Sequence, residues 1–252
     1  MVGFGRQEGR RRVGYSNTLT GLGGLTGALL VAAVGCGGPQ MARPDGFKEE
    51  MDKFVAEGRD GRTPDGVEES FKIGPYTIDD VKRNLSGAEG LDMFGDFEAA
   101  DKSGYRFKLS GGADNKLTGR CARPAPKKSK HLDGSVDVEK ETALACSCEL
   151  EGESVAYTYV EDLAGEYGGQ MVASGVQAQI TGVYDLDNGE RVKGRPAGYR
   201  IDDDDGAVAA AGVLAGESSV WIKSSLEEPD RRRMMCILVG LMLWFPGGQK
   251  AD

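Results

Sequence analysis

Met234-Met235-Cys236-Ile237-Leu238-Val239-Gly240-Leu241-Met242-Leu243-Trp244-Phe245 is twelve residues long and carries no charged side chain. Pro229 suits a first helical turn, Glu228 and Asp230 suit the positive end of a helix dipole, and Pro246-Gly247 stop the helix. The stretch predicts a helix over 229–245. Its apolar run rises about 18 Å at about 1.5 Å per residue, whereas a bilayer core needs about 30 Å. A helix apolar on every side, yet too short to span, belongs inside a protein core. Gly240 in its middle costs about 1 kcal/mol relative to Ala. A strand or side chain packed close to the helix backbone is the expected compensation.

Upstream, the pattern is β. Tyr105, Phe107 and Leu109 alternate with Arg106, Lys108 and Ser110, which puts the apolar set on one face of a strand. Residues 111–115 read as a turn and 117–121 as the return strand. Residues 71–78 read as a strand broken near Gly74-Pro75. The spans 142–150 and 155–159 form a pair, 172–184 a long strand, and 199–202, 207–214 and 219–223 complete the series. Asn188-Gly189 is a strong hairpin signal. Strands at short, regular spacing predict a mainly β, antiparallel barrel or sandwich. The C-terminal helix would lie buried in it or against it.

An antiparallel series that ends in one wholly apolar helix resembles the Tubby C-terminal-like fold, shared with phospholipid scramblases. The resemblance covers residues 105–245 and is architectural. It implies a closed barrel around the C-terminal helix. The phosphoinositide-binding members use a basic patch. Here the basic clusters are Lys127-Lys128-Ser129-Lys130 and Arg231-Arg232-Arg233, in a chain of formal charge -9.

The N-terminus reads as an address. Arg6, Arg10, Arg11 and Arg12 precede a stretch from Val13 to Gln40 that has no charge. A basic start before a Gly-rich apolar run is a secretory signal. Ala33-Val34-Gly35-Cys36 resembles the lipobox of bacterial lipoproteins, with Ala33 where Leu is commonest. The resemblance implies lipidation of Cys36 as the new first residue. Gly37, not Asp, follows the cysteine, and the family rule then leans to the outer membrane. An ordinary signal peptide cleaved nearby is the other reading. The expected organisation is a signal peptide over 1–35, then a tether, short helix and linker over 36–66, then one β-rich domain over 67–252. The short helix is read from Phe47, Met51 and Phe54-Val55, at near-helical spacing across 47–56.

Without residues 1–35 the body keeps 27 bases and 39 acids, a balance of -12. Such a body repels nucleic acid and anionic headgroups, so the expected membrane contact is the lipid alone. Export favours a disulfide from Cys121 to one of Cys146 and Cys148, with Cys146 preferred. Cys236 reads as an inert core thiol. Cys-x-Cys lacks the second ligand pair that a metal site needs. Asp202-Asp203-Asp204-Asp205-Gly206 reads as a solvated hairpin tip more readily than a calcium site. Residues 185–189 depart from the calcium-loop spacing at Gly189. The single histidine, His131, sits in the basic loop 124–134 and argues against a His-dependent triad. No residue is singled out as catalytic, and no metal or cofactor is implied. The sequence therefore predicts an exported, lipid-anchored envelope protein with a β-rich binding or scaffolding domain and a protein or lipid ligand. The alternatives are a carboxylate-based hydrolase and a lipid-handling protein of scramblase-like architecture.

Overall fold

The computed structural model describes residues 39–47, 50–59, 69–85, 104–112, 116–122, 142–151, 153–163, 166–173, 176–214 and 218–244. Segments 1–38, 123–141 and 245–252 lie outside them. So the signal, Cys36, His131 and the Lys127 cluster are not described.

Twelve strands form an antiparallel meander: β1 Met51–Glu57, β2 Glu69–Ile73, β3 Tyr76–Leu85, β4 Gly104–Ser110, β5 Leu117–Ala122, β6 Thr142–Leu150, β7 Glu153–Leu163, β8 Glu166–Ala173, β9 Val176–Val183, β10 Gly198–Asp203, β11 Gly206–Gly212 and β12 Ser219–Lys223. Each pairs with its sequence neighbours, and β1 pairs with β12 to close the barrel. An even strand number lets an antiparallel meander close without a mismatched edge. Helix α1, Glu228–Leu243, follows the last strand.

Strand alternation fixes what faces inward. Phe71 and Ile73 on β2, Tyr105, Phe107 and Leu109 on β4, Tyr199 and Ile201 on β10, and Val220 and Ile222 on β12 all join one core. From Met235 to Leu243 every residue of α1 is buried. The helix approaches β5, β6 and β7 on one side and β11 on the other, so it occupies the barrel lumen. Small inward residues make room on those walls, Ala156 on β7 and Ala209 and Ala211 on β11, while Gly119 on β5 makes room for the Phe107 ring of β4. The bulky Phe107, Tyr199 and Ile180 fill the remaining width.

Gly240 shows why no Cβ is tolerated there. A methyl would stand 2.9 Å from the Cys121 Sγ and 3.0 Å from the Cys146 Sγ. Those two cysteines are directly opposed on β5 and β6 and are joined as a disulfide. The close approach expected at this glycine is thus a cross-strand disulfide on the wall. Cys236 is not a free core thiol as the sequence suggested. It is joined to Cys148, which ties α1 to β6. Both cysteines point into one core from elements distant in sequence, a proximity that strand spacing cannot reveal.

Three expectations need correction. The segment 47–56 is not a short helix: Met51–Glu57 is β1. Ala56 lies in the main core and Phe54 packs against it, whereas Met51 packs outside with Phe47. Apolar residues on both faces of one strand imitate helical spacing. β1 is therefore barrel wall, and the linker expected up to residue 66 does not precede the domain. Residues 172–184 are not one strand. β8 and β9 turn back on each other at Ala173↔Val176, with Ser174-Gly175 between them. Likewise Gly74-Pro75 separates two paired strands, β2 and β3, with Ile73 opposite Tyr76.

Two predictions follow from this packing. Cys148 and Cys236 are 88 residues apart and Cys121 and Cys146 are 25 apart. Loop-closure entropy gives about 4.6 and about 3.5 kcal/mol respectively, so C148S/C236S should lower the urea midpoint more than C121S/C146S. Equal losses would show that chain entropy does not set their worth. G240A should destabilise by about 1–3 kcal/mol through overpacking, despite Ala being the better helix former. In a C121A/C146A background that penalty should shrink, as a double-mutant cycle by chemical denaturation would show.

Candidate functional site

Because α1 is enclosed, its ends must be satisfied by the wall. The helix has no basic residue in its last turn. The barrel supplies them. Arg59, just after β1, donates to the Met242 carbonyl at 2.6 Å and to the Ser218 Oγ at 3.0 Å. Arg83 of β3 donates to the Leu243 carbonyl at 3.0 Å and pairs with Glu69 at 2.9 Å. The Tyr105 hydroxyl donates to the Gly240 carbonyl at 2.5 Å. Two guanidinium groups thus stand where the helix dipole is negative. Burial lowers the Arg59 pKa, opposed by the nearby Glu69 carboxylate. Burial also raises the Tyr105 pKa. Trp244 then closes this end, edge-on to Tyr167 at 5.3 Å and stacked on Tyr199 at 6.1 Å.

The opposite end holds the helix N-terminus. The Tyr76 hydroxyl donates to the Glu228 carboxylate at 3.2 Å. Burial first, and then that carboxylate, push its pKa up to about 12. Arg231 and the Ser224 hydroxyl, at 2.9 Å, both donate to Asp52. These bonds hold the Asp52 carboxyl below its ordinary value. Arg233 pairs with Asp230 at 3.0 Å, and Arg232 is buried. The basic triplet noted in the sequence is therefore spent in part on neighbouring acids. These groups make a polar collar at each end of a filled lumen. They hold the helix.

The outer wall carries a second, smaller core. Met41, Leu186, Ala197, Ala210 and Trp221 are buried together, outside the barrel. A strap over 39–47 covers them. Met41 pairs with Leu186 as a short antiparallel bridge. The Ala42 amide donates to the Asp185 carbonyl at 2.8 Å, and the Asp187 amide to the Gln40 carbonyl at 3.0 Å. Arg200 donates to the Asp45 carbonyl at 2.7 Å while paired with Asp202 at 2.5 Å. Met41 lies over Gly198 and Gly212, which face each other across β10 and β11. A Cβ on Gly198 would collide with the Met41 Sδ. This explains why β11 is buried along both faces.

On β2, β4, β5 and β6 the outer wall is polar: Lys72, Arg106, Lys108, Arg120 and Glu149 project outward beside Arg120–Glu149 and Asp80–Lys108 ion pairs. That is the inverse of the alternation a membrane-spanning barrel needs, with apolar residues outside. No helix among the described residues is long and apolar enough to cross a membrane.

Of the sequence candidates, Cys121, Cys146 and Cys148 are brought together in the core as disulfide partners. Cys36 is outside the described residues. The Asp203 carboxylate accepts from the amides of Asp205 and Gly206 at 2.9 and 3.0 Å, which makes the acidic run a hairpin tip. Residues 186–189 form a turn closed by the Gly189 amide on the Leu186 carbonyl at 3.0 Å. Among the described residues no group of three His, Cys, Asp or Glu is placed to hold a metal ion. Sequence reasoning missed Arg59, Glu69, Arg83 and Met41. Only lone arginines in β and loop context marked the first group, and their helix partners lie far away in sequence. Comparison with protein-family models, curated proteins and solved structures finds no match.

R59L would leave the Met242 carbonyl without its donor. The expected loss is about 1–3 kcal/mol, read as a lower urea midpoint with unchanged disulfides. Asp52 gives a pH signature. Its depressed carboxyl contributes stability above the ordinary value of 3.8, which is lost as pH falls through the folded value. D52N should flatten the acid limb of a Tm-against-pH profile below pH about 4 and change neutral stability by less than about 1 kcal/mol.

Proposed function

We propose that this chain is an exported, lipid-anchored cell-envelope protein, and that its barrel is a binding or scaffolding body. The observation that carries the reading is the pair of buried disulfides, since such bonds persist in oxidising compartments. They join a sequence whose residues 33–36 resemble a lipobox and whose first residues resemble a signal peptide. An acidic body with a polar outer wall suits a domain held beside a membrane in water, attached by acyl chains on Cys36. The membrane favoured is the outer one, and the body faces the periplasm or the exterior. A lumen filled by α1 leaves the outer wall and loops as the places where a protein or lipid ligand would bind.

A lipid-handling role of scramblase-like type is the second reading. Its support is a closed barrel around an apolar C-terminal helix, the architecture that the Tubby-like resemblance implies. The apolar helix is enclosed by the wall in this fold, so any lipid would be handled on the outer surface.

Radiolabelled palmitate tests the anchor in a bacterial host. The full chain should take up label and sediment with membranes, and C36S should lose both. Equal labelling and sedimentation of C36S would overturn the reading.

A further inference from the structure

We propose that Asn188 is a modification site, where deamidation to isoaspartate unfastens the strap over 39–47 from the outer wall.

The turn that holds the strap is built on Asn188-Gly189. The Leu186 amide donates to the Glu190 carbonyl at 2.8 Å, and the Gly189 amide to the Leu186 carbonyl at 3.0 Å. Gly189 has a φ of +83°, a left-handed conformation that glycine adopts without strain. The strap is bonded to the residues just before it. The Gln40 amide donates to the Asp187 carboxylate at 3.1 Å, the Asp187 amide to the Gln40 carbonyl at 3.0 Å, and the Ala42 amide to the Asp185 carbonyl at 2.8 Å. Three of the strap's bonds therefore depend on Asp185 and Asp187 keeping their places.

The sequence this turn requires is also the most reactive one for an asparagine. Asn188 and Gly189 are exposed, and glycine places no side chain over its own amide nitrogen. In the reaction the Gly189 nitrogen gives up its proton and attacks the side-chain carbonyl carbon of Asn188. The bond from that carbon to Nδ2 breaks, ammonia leaves, and a cyclic succinimide remains. Water then opens the ring at either carbonyl and yields aspartate or isoaspartate. One water is consumed and one ammonia released, and no oxidant or reductant takes part.

The folded turn restrains both reacting groups. The Gly189 N–H is held on the Leu186 carbonyl. The Asn188 side chain is clamped by Glu190: Oδ1 accepts from the Glu190 amide at 3.0 Å, and Nδ2 donates to the Glu190 carboxylate at 3.0 Å. A bond to a charged acceptor is of the stronger kind, so the attack waits for local opening of the turn. Glu190 is the positioning residue that slows it.

The product removes the Nδ2 donor and sets a carboxylate beside that of Glu190. Exposed charges interact weakly, so charge alone disturbs the strap little. Isoaspartate does more. Its main chain runs through the former side-chain carboxyl carbon and gains a CH₂, which moves the Gly189 amide off the Leu186 carbonyl. The turn loosens, Asp185 and Asp187 shift from the strap, and the outer core of Met41, Leu186, Ala197, Ala210 and Trp221 loses its cover.

The experiment ages the full chain at mildly alkaline pH and maps deamidation by peptide mass spectrometry, with electron-transfer fragmentation to distinguish isoaspartate. Asn188 should react several-fold more slowly in the folded chain than in the same chain reduced and unfolded in urea. E190A, still folded, should react several-fold faster than the folded parent. The isoaspartate form, separated by ion exchange, is then read by amide hydrogen exchange. The Ala42 and Asp187 amides should exchange several-fold faster than in the parent, with β10 and β11 unchanged. N188D supplies the charge without the extra CH₂ and should show a smaller increase. Unchanged protection at Ala42 in the isoaspartate form would overturn the proposal. So would a folded chain that never deamidates at Asn188, or an E190A rate equal to the parent's, because the turn would then not control the site.

Discussion

A closed wall of twelve strands is too wide to be filled by its own side chains. Eight strands enclose about enough room for side chains alone, and the diameter grows with strand number. An apolar lumen left open would collapse or flood. The structure depends on one remedy, a helix of sixteen residues threaded through the lumen. Everything inward of the wall is adjusted to it. Alanines stand where β7 and β11 come close, and aromatics stand where the gap is wide. Ile237, Leu238, Val239, Leu241, Met242 and Leu243 are completely buried. At about 1.5–3 kcal/mol for each such side chain, the helix contributes a large part of the stabilisation that offsets the ordering of a long β meander.

That arrangement creates a polar problem at each end, since burying a helix also buries its unpaired carbonyls and amides. The wall answers with side chains from strands far apart in sequence. Arg59, Arg83 and Tyr105 meet the carbonyls; Tyr76 and Asp52 meet the acidic and basic side chains of the first turns. The two disulfides act on the same parts. One forms the surface against which Gly240 fits, and the other ties the helix to β6. Helix, caps and bridges are one mechanical unit.

Much of this was legible because it is local. Alternation at 105–109 gives the inward face of β4, and an uninterrupted apolar run gives a buried helix. Gly240 in a helix points to a close neighbour. The rest was hidden for specific reasons. β1 looked helical because Met51 and Phe54 serve two different cores on its two faces. Residues 172–184 looked like one strand because the pair Ala173 and Val176, where β8 meets β9, is only three positions apart in sequence. The helix caps were invisible because an arginine in a loop does not reveal which carbonyl it will reach. The strap was read as tether because its recognition lies in a pair of facing glycines, Gly198 and Gly212, about 160 residues away, a separation that no local pattern records.

The order of elements along the chain has a temporal consequence. The helix that fills the lumen is made and delivered after all twelve strands, and the seam between β1 and β12 joins the first strand to the last. Strands that emerge earlier can pair locally as hairpins, but the wall has nothing to close around until residues 228–244 arrive. Closure of the barrel is therefore held back to the end of synthesis. A chain cut short before the helix would stay open and expose its apolar inner face to proteases. The topology itself acts as a check that the barrel was made whole.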